Sequence, residues 1–159
     1  MRINYTLYGT TLTGGVRVIF EIINQLASRG HEMTLTTIGK PEEASWFPLN
    51  AKIYTTSLTI KDRIALRCGA DMHQMNIRKL ADIMPDCDIN VATFNFTAYA
   101  VDRSQKGMPF YHMQHYEKLF FPDLYYSQLA RETYFLPLKK IANCTWLKNT
   151  LITNGIPID

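Results

Sequence analysis

Long hydrophobic runs are missing from this sequence. No apolar stretch approaches the ~20 residues that a bilayer span requires, and the N-terminus passes directly into a strand-like pattern with no charged leader and apolar segment before it. The expectation is therefore a chain with neither a spanning helix nor a secretory signal. An excess of one charge is missing too. The 17 Lys and Arg against 14 Asp and Glu leave a formal charge of +3, and the basic residues are scattered along the chain. Without a basic run or stripe, nucleic acid is not an expected partner. Cysteine is scarce: Cys68, Cys87 and Cys144 are an odd number with no close pairing and no metal-ligand spacing. They suit a reducing compartment better than a disulfide framework, give no metal site, and are each expected as a small buried apolar side chain. A dinucleotide fingerprint is lacking as well, because the third residue of Gly9-Thr10-Thr11 should be glycine and is not, which discounts an NAD or FAD site. No Ser-His-Asp triad, P-loop lysine motif or zinc cluster is visible.

What is present is an ordinary folding composition. A chain of 159 residues with 47% hydrophobic and 19% charged residues suits one domain with its own core, spanning 1–159. The most informative stretch runs from Arg2 to Ile38. Arg2 to Tyr8 alternates as a strand, and Gly9 to Gly15 breaks the pattern with turn formers. From Val16 the apolar residues Val16, Ile19, Phe20, Ile23, Leu26 and Ala27 recur at helical steps, and Arg17 and Glu21 sit one turn apart. Gly30 stands where a left-handed residue ends a helix, and His31 to Ile38 returns to strand composition. This is a βαβ unit, whose right-handed crossover makes its two strands parallel. Thr13-Gly14-Gly15 falls at the start of the helix, where free N–H groups and the helix dipole favour a phosphate or carboxylate. Two glycines by themselves need mean no more than a tight turn.

The remaining pattern continues the alternation. Lys40 to Asn50 is a connection in which Trp46 and Phe47 cover a core edge, and Lys52 to Leu58 is a short strand. Lys61 to Met84 is helical, broken near Gly69, with Ile64, Met72, Met75, Ile77, Leu80 and Ile83 inside. Its basic outer residues can approach an anionic membrane surface, though so few charges suit a plain solvated face. Ile89 to Phe94 is a strand, and Asn95-Phe96-Thr97 offers an N-cap for a helix to Ser104. Pro109 to Gln114 is a strand running out into His115-Tyr116-Glu117, Pro122 to Phe135 is a helix, and Lys140 to Cys144 is a last strand. Thr145 then caps one or two helical turns to Leu151. The fold class this implies is α/β, a Rossmann-like, doubly wound, mostly parallel sheet.

Ligands of such sheets bind beyond the carboxyl ends of the strands, which selects Thr13-Gly14-Gly15, Asn95-Phe96-Thr97 and His115-Tyr116-Glu117. A histidine beside a carboxylate can act as acid, base or orienting donor near neutral pH. His115 stands between that role and a packing role. Glu117 reads as a cap for the Lys118–Phe121 turn, His112 as a sheet-face histidine, His31 as a partner of the open carbonyls at a helix end, and His73 as a surface residue. The aromatic series Tyr116, Phe120, Phe121, Tyr125, Tyr126 and Tyr134 reads as core or interface packing, with an acceptor-binding or membrane-facing surface as the alternative.

Four stretches together resemble the N-terminal domain of the family 4 glycosyltransferases of GT-B architecture. They are Thr13 to Val18 with Glu21 to Met33, Tyr111 to Glu117, Ile141 to Lys148, and Asn154-Gly155-Ile156-Pro157. The resemblance implies a retaining enzyme that moves a sugar from a nucleotide-sugar, its co-substrate, to a glycan or lipid-linked acceptor, with no cofactor and no obligatory metal. It implies a cytoplasmic location, extending to peripheral contact at the inner membrane face. Carried over by position, Thr13, Gly14 and Gly15 form the donor-phosphate-facing turn, His115 is the active-site histidine on the acceptor side, and Asn95, Thr97 and Glu117 are acceptor-binding candidates. The family's C-terminal donor-binding domain has no counterpart within these residues, so that domain or a partner protein must supply it. The isolated chain is expected to fold without transferring sugar at a useful rate, and detectable turnover by the purified chain alone contradicts this. Two other readings remain open: a non-enzymatic nucleotide- or sugar-binding module, and a stand-alone subunit whose exposed Trp146, Leu147, Leu151 and Ile152 dock a donor-binding protein.

Overall fold

The first strand, β1 (Arg2–Leu7), is buried at every residue after Arg2, so its apolar and polar positions both face packed layers. Ile3, Tyr5 and Leu7 join Ile19, Phe20 and Ile23 of helix α1 (Gly14–Ser28) in one hydrophobic cluster. Thr13 caps α1, its Oγ1 accepting from Val16 N at 3.3 Å, and Gly30 follows the helix at φ +86°, as a left-handed stop requires. Trp46 closes this face by stacking on Phe20 at 5.3 Å, while its Nε1 donates to Thr10 O at 2.8 Å.

Five further strands complete the sheet: β2 (Glu32–Ile38), β3 (Lys52–Thr56), β4 (Ile89–Ala92), β5 (Met108–Met113) and β6 (Lys139–Ala142). The computed structural model describes residues 1–158 and orders the strands β3-β2-β1-β4-β5-β6, all parallel. This is the Rossmann-like, doubly wound arrangement, with the strand order reversing between β1 and β4. The second face carries α3 (Met72–Ile83), α4 (Asn95–Ser104), α5 (Leu124–Glu132) and α6 (Thr145–Thr153) around Leu80, Phe96, Tyr111, Tyr134 and Leu147. No helix among the described residues is long and apolar enough to cross a membrane.

Several local expectations need correction. The short helix α2 (Ile60–Arg67) buries no residue, so Ile64 is exposed, and Met72, the first residue of α3, is exposed too. The break at Gly69 separates α2 from α3 and takes α2 out of the core register, while α3 still buries Ile77, Leu80 and Ala81. The α4 helix begins at Asn95, with Phe94 as its cap residue. Cys144, not Thr145, precedes α6, and no side chain caps it. Cys68 and Cys144 are exposed and only Cys87 is buried, because the first two lie at helix boundaries. Leu147 and Leu151 are fully buried while Trp146 and Ile152 project outward, so these four form no common exposed patch.

Inside the sheet lies a polar ladder that spans three strands. Asn4 of β1 donates from Nδ2 to Asn90 Oδ1 of β4 at 2.9 Å and to Thr6 Oγ1 at 3.1 Å. Its Oδ1 accepts from Thr34 and Thr36 of β2 at 2.9 and 3.0 Å. Asn90 in turn donates to Ser104 Oγ of α4 at 3.3 Å. Asn4, Thr6, Thr36 and Asn90 are all completely buried, a cost that the hydrogen bonds offset. Replacing Asn4 by Leu removes a partner from three hydroxyls, those of Thr6, Thr34 and Thr36, and from the Asn90 amide oxygen. The expected loss is about 3 kcal/mol in urea unfolding, and the Asn4→Leu/Asn90→Leu pair is expected to cost less than the sum of its members.

Candidate functional site

The carboxyl ends of β1, β4 and β5 open into one cleft of about 470 Å³, within the range of small-ligand sites. Leu7, Tyr8 and Gly9 leave β1 along its floor, and Thr93 and Phe94 leave β4 beside them. Thr13, Gly15 and Val16 bring the start of α1 to one wall. Gln114, His115, Glu117 and Phe120, which follow β5, form the other. The cleft thus occupies the crevice where the strand order reverses, the place where topology separates two crossovers to opposite faces.

The two walls touch. A Cβ built on Gly15 comes within 3.2 Å of Gln114 Oε1, so the second glycine of the turn is there for close approach to the opposite wall. Gly14 has open space where a side chain would stand and does not line the cleft. The α1 end still offers the backbone N–H groups of its first turn, with the positive end of the helix dipole behind them. No lysine or arginine is among the described residues that line the cleft, and they contain no cluster of His, Cys, Asp and Glu able to hold a metal.

His115 is held by rings rather than by hydrogen bonds. It stacks on Phe120 with centroids 4.7 Å apart and lies 5.8 Å from Trp146, while its Nδ1 is buried without a partner. Its neighbour two residues on is tied down far more firmly. Glu117 is only 1% exposed, and its Oε2 accepts from Asn95 N at 2.6 Å and from Tyr111 Oη at 2.8 Å. Instead of capping its own Lys118–Phe121 turn, Glu117 caps α4 across the cleft floor. Burial raises its carboxyl to about 8, against the opposing pull of the bonds from Tyr111 and Asn95. Glu117 is thus largely protonated at neutral pH.

The other sequence candidates sit behind this wall. Thr97 Oγ1 accepts from Thr93 N and Phe94 N at 3.0 and 2.9 Å and donates to Phe94 O at 2.7 Å. That hydroxyl shapes the turn into α4 and has no free capacity for a ligand. Asn95 is buried, its Oδ1 accepting from Phe96 N at 2.6 Å and its Nδ2 without a partner. Neither residue lines the cleft. His112 lies on the sheet face, buried, with Nδ1 unpartnered and its ring 6.5 Å from Tyr5.

His73 departs from the surface position expected of it. It is half-buried, stacks on Phe96 at 4.1 Å, and bonds the Tyr8 hydroxyl through Nδ1 at 2.7 Å. Asn76 donates to the same Tyr8 oxygen at 2.9 Å, which leaves the Tyr8 hydroxyl proton free to be donated to His73 Nδ1 when the ring is neutral with its proton on Nε2. Burial lowers the His73 pKa despite the nearby Asp71, in keeping with a neutral acceptor ring. Tyr8, Gln114 and Phe94 were not singled out in the sequence. The position of Tyr8 at the end of β1 was the available signal, whereas its partners on α3 carried none.

The raised Glu117 carboxyl makes stability pH-dependent. Below its unfolded value of 4.5 the acid is protonated in both states and burial carries no ionisation penalty. Stability then falls as pH climbs towards 8, where the folded-state carboxyl finally ionises, a total change of about 5 kcal/mol. Half-buried His73 and buried His112 have lowered pKa values and slope the opposite way at acid pH. The difference between wild type and Glu117→Gln in urea midpoints at about pH 5, 7 and 9 isolates the carboxyl. The wild type is expected to lose stability across that series relative to the variant, and parallel curves contradict the burial argument.

No protein-family model matches the chain, and no curated protein matches it.

Proposed function

We propose that this chain is the acceptor-side domain of a retaining glycosyltransferase of GT-B architecture, acting in the transfer of a sugar from a nucleotide-sugar to a hydroxyl-bearing acceptor. The observation that carries the reading is the juxtaposition in one cleft of the open α1 N-terminus and His115, on walls in contact through Gly15 and Gln114. In this reading the donor diphosphate approaches the N–H groups after Thr13, and His115 lies beside the reacting sugar as an orienting hydrogen-bond partner. The resemblance of Thr13 to Met33 and of Tyr111 to Glu117 to that family supports the same assignment. Three free cysteines suit the reducing cytoplasm in which such a reaction would run.

The described residues that line the cleft include no lysine or arginine, so in this reading charge compensation at a leaving diphosphate comes from groups outside them. Stabilising that developing charge is the larger part of the catalytic task. In this reading a donor-binding domain or partner protein supplies it, and the isolated chain is inactive or nearly so. The same absence of cations favours one other reading, a sugar-binding module with no transferase activity. The test is transfer by the native gene product, with its donor-binding part present, across a panel of nucleotide-sugars. His115→Ala is expected to lower turnover by about a hundredfold with the fold retained. Full turnover in that variant sinks the catalytic assignment, and binding of sugar without any turnover in wild type selects the module.

A further inference from the structure

We propose that Glu117 reads the ligand in this cleft: its Oε1 hydrogen-bonds a hydroxyl of an uncharged sugar ring lying against Phe120, while Oε2 stays with Asn95 and Tyr111. The inference rests on reading the cleft as the acceptor side of a sugar transferase, and it names the class of acceptor.

Glu117 lines the cleft, yet both of its protein hydrogen bonds fall on one oxygen, Oε2. The backbone N–H of α4 and the hydroxyl of fully buried Tyr111 fix the plane of the carboxyl, which leaves Oε1 as its hydrogen-bonding atom for the cleft. A carboxyl held at one oxygen and unpaired at the other is pre-organised, so a ligand that reaches Oε1 meets little ordering cost there.

The surroundings then select the ligand. The groups packed about Glu117 are Tyr111 from β5, Asn95 from α4 and Tyr134 from the turn after α5, with His115, Tyr116 and Lys118 on its own segment. Lys118 is the one fixed charge among these, and it is not among the described residues that line the cleft. A cationic ligand would find the positive end of α1 and a carboxyl that burial disfavours as an anion. An acidic sugar would find no lysine or arginine among the described residues of the walls. A neutral sugar suits both halves of the lining: its hydroxyls both donate and accept, so one can pair with Oε1 in either protonation state. Its C–H face meets the apolar surface of Phe120, which is half exposed at 50%.

The experiment follows the Glu117 side-chain carboxyl carbon by NMR in protein labelled with ¹³C-glutamate. Glu117→Gln assigns the signal, and Glu21, Glu32, Glu42, Glu43 and Glu132 serve as internal controls. Glucose, galactose, mannose and N-acetylglucosamine are titrated to about 100 mM, since a site of this kind can be weak, with glucosamine and glucuronate as the cationic and anionic arms. The expected result is a saturable shift of Glu117 alone with at least one neutral sugar and a much smaller response to the charged pair. Glu117→Ala should weaken that sugar about tenfold. If this variant fails to fold, the titration of unmodified protein decides. No saturable shift with any neutral sugar overturns the proposal, as does a stronger response to glucosamine or glucuronate. Saturable binding with no transferase activity in the native gene product leaves this inference standing and removes the proposed function. Transfer to an acceptor that leaves the Glu117 signal unmoved does the reverse.

Discussion

The paired amides of Asn4 and Asn90 hold together the two halves of the sheet. These residues face each other in register across β1 and β4, the one junction where neighbouring strands send their crossovers to opposite faces. A slip of one residue there would turn Ile3, Tyr5 and Leu7 away from α1 and bring Asn4 and Thr6 into an apolar layer. The amide pair makes that slip costly from the polar side, because a mispaired buried amide has no water to fall back on. The cleft inherits its floor from this register: Tyr8 and Phe94 leave adjacent strand ends at matching heights only while the seam is closed.

Two helices begin at the cleft, and the protein treats them differently. The α1 end is capped locally by Thr13 and keeps its forward face open. At the α4 end, a carboxyl carried in from β5 binds the first N–H. Glu117 gains that bond and the Tyr111 hydroxyl, yet desolvation outweighs both and holds it mostly as the acid. The consequence is a crevice with one helix terminus available to an anion and the other already satisfied. An anionic group is thereby directed to the Thr13 side, and the opposite wall is left to hydrogen-bonding and aromatic contact.

Much of this architecture was legible because it depends on local periodicity. The β1-α1-β2 unit announces itself through Val16 to Ala27 and the stop at Gly30, and the alternation of strands with helices implied the parallel sheet. What was hidden depends on partners distant in sequence. Asn4 and Thr6 look like the solvent side of a half-buried strand, and only Asn90, 86 residues on, shows that they are interior. Glu117 sits just where a local cap belongs, so proximity argued for its own turn, while its true partner is the N–H of Asn95, 22 residues back. His73 lies in a basic helix, and nothing nearby in the sequence betrays the Tyr8 hydroxyl that draws it inward. The strand-end rule located the cleft but not its membership: it picked out His115 and Glu117 as lining residues and also Thr97, whose hydroxyl is consumed in shaping the turn.

The seam also constrains the order in which the chain can assemble. Asn4 finds Thr34 and Thr36 as soon as β2 folds back on β1, but β4 lies far downstream, beyond α2 and α3. Until it docks, β1 is an edge strand with unpaired N–H and C=O groups facing whatever else is nearby. Edge strands recruit other chains when they are flat and apolar. Here the waiting edge carries a buried-to-be amide and two threonine-lined neighbours, a polar interruption that suits a transient edge poorly to self-association. The residue that welds the finished sheet therefore also guards its unfinished margin during synthesis.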